Sequence, residues 1–175
     1  KIGYIVAKKA IGLGMKVIAY DPYVSEDKYR QLGIKRAKDL DDIYKEADII
    51  TIHLPKNKDT VNLIDKEEIK KMKKGIIIVN VARGGIIVED DLYEAIKEGH
   101  VRGAAVDVYE TEPCESSPLF KLDEVVCTPH LGASTVEAQD KAGFVIAEQV
   151  SKVLNGEIAN FAVNVPVFDQ DSMEA

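Results

Sequence analysis

The sequence predicts an α/β domain, a doubly wound parallel sheet with helices on both faces. Two observations carry this. Short apolar runs recur along the chain as continuous stretches rather than alternating with polar residues, which is how strands covered on both faces read. Amphipathic stretches separate them, and repeated strand-helix-strand order implies parallel strands joined by right-handed crossovers.

In chain order, helical spacing runs from Ile2 to Ile11 and ends at Gly12 to Gly14. Lys16 to Tyr20 reads as a strand stopped by Asp21-Pro22. Helical patterns follow at Ser25 to Leu32 and Asp39 to Ala47. Asp48 to Leu54 (DIITIHL) is a second strand, closed by Pro55. Asp65 to Met72 is a helix with Asp65 three residues before Glu68, a capping-box-like start. Gly75 to Val81 (GIIIVNV) is a third strand, and Glu89 to Glu98 a helix that Gly99 should stop. Gly103 to Val108 (GAAVDV) and Val125 to Cys127 are the remaining strands, the last closed by Thr128-Pro129. Ser134 and Glu137 form a second capping box, opening a long helix to about Asn155, ahead of Gly156.

No strand precedes the first helix. A doubly wound nucleotide domain normally opens with a strand and a glycine-rich turn. Lys1-Ile2-Gly3 fits the last three positions of a G-x-G-x-x-G turn. The first strand and the start of the glycine loop are therefore expected to be missing, and this chain alone is expected to bind a dinucleotide weakly and turn over nothing measurable.

Composition narrows the function classes. The 175 residues suffice for one domain with a sizeable core, at 46% apolar and 30% charged. No apolar run approaches the roughly 18 residues that span a bilayer, and no leader of export type opens the chain. The two cysteines, Cys114 and Cys127, lie outside any C-x-x-C pair. This argues against a disulfide scaffold or zinc site, predicts no metal, and fits a reducing, cytoplasmic setting. A net charge of -7 disfavours a nucleic-acid surface.

The candidate chemistry clusters at strand ends. Asp21 ends a strand eighteen residues after Gly3. That spacing suits a carboxylate that accepts from adenosine ribose hydroxyls and repels a 2'-phosphate, although Asp-Pro also simply terminates strands. Asn80-Val81-Ala82-Arg83-Gly84-Gly85, Asp107-Val108-Tyr109-Glu110-Thr111-Glu112-Pro113 and Thr128-Pro129-His130-Leu131-Gly132-Ala133-Ser134-Thr135 each follow a strand. Open α/β sheets bind ligands at that edge. An arginine there can grip a carboxylate through its planar fork, a histidine can exchange a proton with a developing alkoxide, and a carboxylate beside the histidine would stabilise imidazolium. Alone, each has an ordinary explanation: a turn arginine, a loop carboxylate, a loop histidine. Delivered at consecutive strand ends, the three form a constellation. His53 suits a cofactor contact or a structural role equally. His100 has no evident partner. Lys70 to Lys74 reads as a solvated helix face, and Cys127 as a buried strand residue.

Over roughly Lys1 to Pro166 the chain resembles the D-isomer-specific 2-hydroxyacid dehydrogenases, through ARGG, DVYETEP and PHLGAST in order and at similar spacing. PHLGAST and the run Ala159 to Pro166 are most similar to the branch that oxidises 3-phosphoglycerate. The resemblance implies a Rossmann-like NAD-binding domain over residues 1–155. Residues 156–166 would return towards a substrate domain, and 167–175 would be a linker or tail. It implies Arg83, Glu112 and His130 as the catalytic trio: Arg83 on the substrate carboxylate and carbonyl, His130 as acid/base, Glu112 paired with His130. Asp107 would face the nicotinamide carboxamide. Gly3, Asp21, Thr51, His53, Pro55, Thr60, Ala82, Arg83, His130 and Gly132 would line the cofactor, NAD. The implied reaction moves hydride between nicotinamide C4 and C2 of a small 2-hydroxy acid, most readily 3-phospho-D-glycerate to 3-phosphohydroxypyruvate in serine biosynthesis. Glyoxylate or hydroxypyruvate reduction, or a non-catalytic NAD-sensing interaction protein of the same family, are the alternatives. A homodimer is the expected assembly, with no nucleic-acid or membrane partner.

Overall fold

The computed structural model describes residues 2–160 and 162. The expected return segment beyond 162, and the tail 167–175, lie outside the described residues. The chain divides into two compact units, Lys1–Gly132 and Ala133–Ala175.

The first unit opens on α1 (Ile2–Gly12), followed by β1 (Ile18–Ala19), α2 (Glu26–Leu32), β2 (Lys35–Arg36), α3 (Leu40–Glu46) and β3 (Ile49–Ile52). Then come α4 (Lys66–Lys71), β4 (Ile76–Asn80), α5 (Glu89–Lys97), β5 (Val101–Val106), a 3₁₀ turn (Pro118–Lys121) and β6 (Val125–Cys127). The strands β3-β4-β5-β6 lie side by side in that order, all parallel. With helices between them, they give the expected α/β architecture.

Two details depart from expectation. First, β1 pairs with β2, not with the four-stranded sheet, so the described strands form two sheets. The pair Lys35-Arg36 is charged and exposed, and carries no apolar signal a reader could use. Second, burial alternates in β3 and β4 instead of covering both faces, whereas β5 is buried at neighbouring positions as well. In β3 and β4 it follows period two, with Ile50, Ile52, Ile76 and Ile78 buried. Ile49 in β3 and Val126 in β6 stay 44% and 65% exposed. Continuous apolar runs therefore over-predicted coverage of the second face.

The buried face is where the core sits. Ile69 of α4 and Leu92, Ala95 and Ile96 of α5 join Ile50, Ile76, Ile78, Ala104 and Val106 in one cluster, with Leu119 from the 3₁₀ turn. Helix starts follow local side-chain chemistry. Asp65 accepts from the N–H groups of Glu67 and Glu68 at 2.7 and 3.4 Å, as its position predicts. Asp39 accepts from Asp42 N–H at 3.0 Å. Gly99 stops α5 at φ +71°, a left-handed conformation that glycine adopts without penalty.

The second unit holds α6 (Val136–Leu154). Its cap lies one residue later than the expected Ser134–Glu137 box. Thr135, extended at φ -89° and ψ 155°, accepts from Ala138 N–H. Buried Gln149 accepts from Asn160 N–H at 2.7 Å, tying the chain after the helix back to it.

Side chains in the main core set the stability. Ile78→Ala should lower the unfolding free energy by about 2–5 kcal/mol in denaturant titration, while Val126→Thr on the open face should change it by less than about 0.5 kcal/mol. Tyr44 is buried with no hydrogen-bond partner for its hydroxyl among the described residues. Burial pushes that phenol up to about 12. Tyr44→Phe should therefore raise stability, by about 1 kcal/mol on the same assay.

Candidate active site

The loops after β4, β5 and β6 emerge from neighbouring parallel strands and so share one end of the sheet. Each is shaped by a polar side chain at or just beyond its strand's end.

The first loop turns on Asn80. Its Oδ1 accepts from Ala82 N–H at 3.1 Å and its Nδ2 donates to Arg83 O at 3.0 Å. Buried and satisfied, this amide closes an Asx-type turn that presents Arg83. Arg83 is exposed, and its Nη1 donates to Ala82 O at 2.6 Å. One of the guanidinium's five N–H donors is thus spent on the turn. Gly84 then passes so close to the next loop that a Cβ there would lie 1.7 Å from Tyr109 O and 2.8 Å from Glu110 N. Only a residue without a side chain permits that approach.

The second loop starts from Asp107, whose N–H donates to Asn80 O at 3.0 Å. The Asp107 carboxylate is buried and filled by the third loop. Oδ1 accepts from Thr128 Oγ1 at 2.5 Å and Leu131 N–H at 2.7 Å, and Oδ2 accepts from Gly132 N–H at 2.9 Å. Burial pushes its pKa up, but the Thr128 hydroxyl and the Leu131 and Gly132 amides outweigh that and leave it below the ordinary value. These bonds bracket His130, which stands at φ +58°. Histidine is among the few side chains tolerated there, at some local cost.

His130 Nδ1 lies 2.6 Å from Glu112 Oε2, while Glu112 Oε1 accepts from Tyr109 N–H at 3.0 Å. The His130 ring first, and the Tyr109 amide second, hold the Glu112 carboxyl below its ordinary value. It is therefore ionised at neutral pH and can only accept, so Nδ1 carries the proton and Nε2 is left to act outward. The pair is partly open, with side chains 42% and 34% exposed.

The structure thus bonds Glu112 directly to His130 and locks the Arg83 turn onto the Glu112 loop through Gly84. The other expected residues lie in α1, just past β1, in and after β3, and in the loop after β6. Asp21 lies past β1, its Oδ1 accepting from Tyr23 N–H at 2.9 Å, and no described residue donates to its Oδ2. Half-buried His53 sits against Gly3, with Nε2 3.1 Å from Thr51 Oγ1, and burial lowers its pKa. Thr60 Oγ1 donates to Pro55 O at 2.6 Å and accepts from Asn57 N–H at 2.9 Å, closing the loop after β3. Gly132 leaves 3.2 Å between a hypothetical Cβ and Asp107 Oδ2. Sequence reasoning gave no role to Asn80, Gly84, Tyr109 or Thr128. Of these, only Asn80 carried a usable signal: an asparagine at a strand end, two residues before the amide it caps.

This architecture, with this site at the carboxyl edge, is that of a dinucleotide-dependent dehydrogenase domain. The chain belongs to the family described as D-isomer specific 2-hydroxyacid dehydrogenase, NAD binding domain, whose profile matches residues 1–132, and its cofactor is NAD. It is 54% identical over 165 residues to D-3-phosphoglycerate dehydrogenase of Mycobacterium tuberculosis, covering 94% of this chain and 31% of that protein. To the protein of the same name from Methanocaldococcus jannaschii it is 48% identical over 173 residues, covering 99% and 33%. The chain therefore spans about a third of the length of these relatives. Among solved structures, holo D-mandelate dehydrogenase of Rhodotorula graminis superposes with a TM-score of 0.84 at 31% identity, covering 95% of this chain and 49% of that one. D-lactate dehydrogenase with NAD+ from Lactobacillus jensenii gives a TM-score of 0.84 at 29% identity, covering 94% and 53%. No helix among the described residues is long and apolar enough to cross a membrane.

Both depressed carboxyls carry a definite pH sign. Asp107 and Glu112 contribute stability above the usual carboxylate range (about 4) and lose it as pH falls through their lowered values. The unfolding midpoint should drop between about pH 5 and pH 2, and Asp107→Asn should flatten that slope. Gly84→Ala should cost at least about 2 kcal/mol at neutral pH, read by denaturant titration.

Proposed function

We propose that the chain supplies the cofactor site and the acid/base machinery of a dehydrogenase oxidising 3-phospho-D-glycerate to 3-phosphohydroxypyruvate, a step of serine biosynthesis. The observation that carries the chemistry is the 2.6 Å contact between His130 and Glu112. The extent of identity to D-3-phosphoglycerate dehydrogenases supports this substrate over other 2-hydroxy acids.

In this reading the Asp21 carboxylate accepts from the adenosine ribose. Its Oδ2, free of described donors, suits that chemistry. Gly3, Thr51, His53, Pro55, Thr60, Ala82 and Gly132 line the cofactor. Asp107 Oδ2 receives one described donor and has a lone pair left for the nicotinamide carboxamide. NAD, when bound among these residues, would supply the acceptor for the hydride leaving substrate C2. Arg83 directs its unspent N–H groups at the substrate carboxylate and carbonyl oxygen. His130 Nε2 removes the C2 hydroxyl proton, and the ionised Glu112 stabilises the imidazolium that results. In reduction the same proton returns to the alkoxide. A homodimer in the cytoplasm accompanies this assignment.

The test uses the complete enzyme that contains this chain. His130→Ala should lower kcat by about 10²–10⁴, and Glu112→Gln by a smaller factor of about 10–100, with NAD affinity retained in both. Near-normal turnover in the His130 variant ends the acid/base assignment. Preference for D-lactate or D-mandelate over 3-phosphoglycerate, measured as kcat/KM, ends the substrate assignment.

A further inference from the structure

Tyr109 stands between the two loops that carry the pair. Its backbone N–H donates to Glu112 Oε1 at 3.0 Å. Its phenol lies 3.2 Å from Thr128 O and 3.3 Å from Val106 O. A hydroxyl has one proton to give. The phenol's proton lies between these two carbonyls, and both belong to or bind the Thr128 peptide two residues before His130, since Val106 O also receives Thr128 N–H at 3.0 Å. Phe120 meets the ring edge-on, with centroids 5.5 Å apart and planes at 79°. The residue is 5% exposed, which keeps water from replacing the bond.

We propose that Tyr109 is a positioning residue that couples Glu112 to His130, holding the carboxylate through its amide and the histidine loop through its phenol. This rests on reading Glu112 and His130 as the acid/base pair. Three features support it beyond ordinary packing. The phenol bridges segments 19 residues apart in sequence. It bonds a backbone carbonyl two residues before one held at positive φ, where a small loop movement would turn the imidazole away. Burial also raises the phenol's pKa, so it stays a donor across the working pH range.

Tyr109→Phe isolates the phenol, since the amide and the ring contact with Phe120 are retained. The first readout is independent of turnover. In the 175-residue chain, the imidazole Nδ1–H of His130, donated to a carboxylate, should give a downfield proton resonance in nuclear magnetic resonance spectra. In the variant its exchange with solvent should be about fivefold faster or more, the factor that one net hydrogen bond is worth. In the complete enzyme, kcat should fall by a similar factor with the KM for NAD unchanged. Absence of the resonance in the unsubstituted chain, or identical exchange in Tyr109→Phe, overturns the proposal. A complete enzyme without dehydrogenase activity whose resonance still responds to the substitution would overturn the functional reading and leave the coupling standing.

Discussion

The site depends on one buried carboxylate. Asp107 sits at the end of β5 and binds the loop after β6 at three points, while its own amide is held by Asn80 at the end of β4. A carboxylate in that place must be paid for in desolvation, and the donors that offset the cost are the same groups that fix the conformation of His130. Stability and site geometry are thus written in the same bonds. Substituting an isosteric amide would turn one of the two oxygens into an N–H donor facing the Gly132 amide or, in the flipped orientation, the Leu131 amide, so the loss would be structural and chemical together.

The rest of the molecule supplies rigidity instead of chemistry. Parallel strands in simple order deliver successive loops to one edge, and α4 and α5 seal the face beneath with isoleucine, leucine and alanine. Surface ion pairs such as Lys70–Glu67 and Lys73–Asp48 are well exposed and contribute little to this, since solvent screens them. A second parallel contact outside the main sheet, Ile64 with Ile87, steadies the segment that follows Arg83. It reinforces the loop's exit where Asn80 reinforces its entrance.

Much of this was legible in the sequence because it obeys local rules. Asp65 caps a helix three residues before a glutamate, Gly99 ends one, and the runs read as strands from Asp48, Gly75 and Gly103 each hold one, although β5 begins two residues earlier than read, at Val101, and ends at Val106. The family resemblance implied the Glu112–His130 contact, while strand-end placement alone left Glu110 and Glu112 equivalent. What escaped was settled by tertiary context. Lys35-Arg36 becomes a strand only because β1 lies alongside it, and Ile49 reads as core although its face of the sheet is open. The left-handed turn at His130 depends on an acceptor 23 residues earlier, which no window of neighbouring residues reveals. The phenol of Tyr109 reads as one more buried aromatic until its carbonyl partner is located.

The bare Cα of Gly84 against the Tyr109 carbonyl has an evolutionary corollary. Every codon change that alters a glycine adds a β-carbon, so this contact cannot be loosened gradually by mutation; it is kept whole or broken outright. Sequences that descend from this one would have to inherit the spacing between these two loops unchanged. Their innovation is confined to the side chains that project from the loops, which is how a single scaffold can vary what its loops present while its frame stays the same.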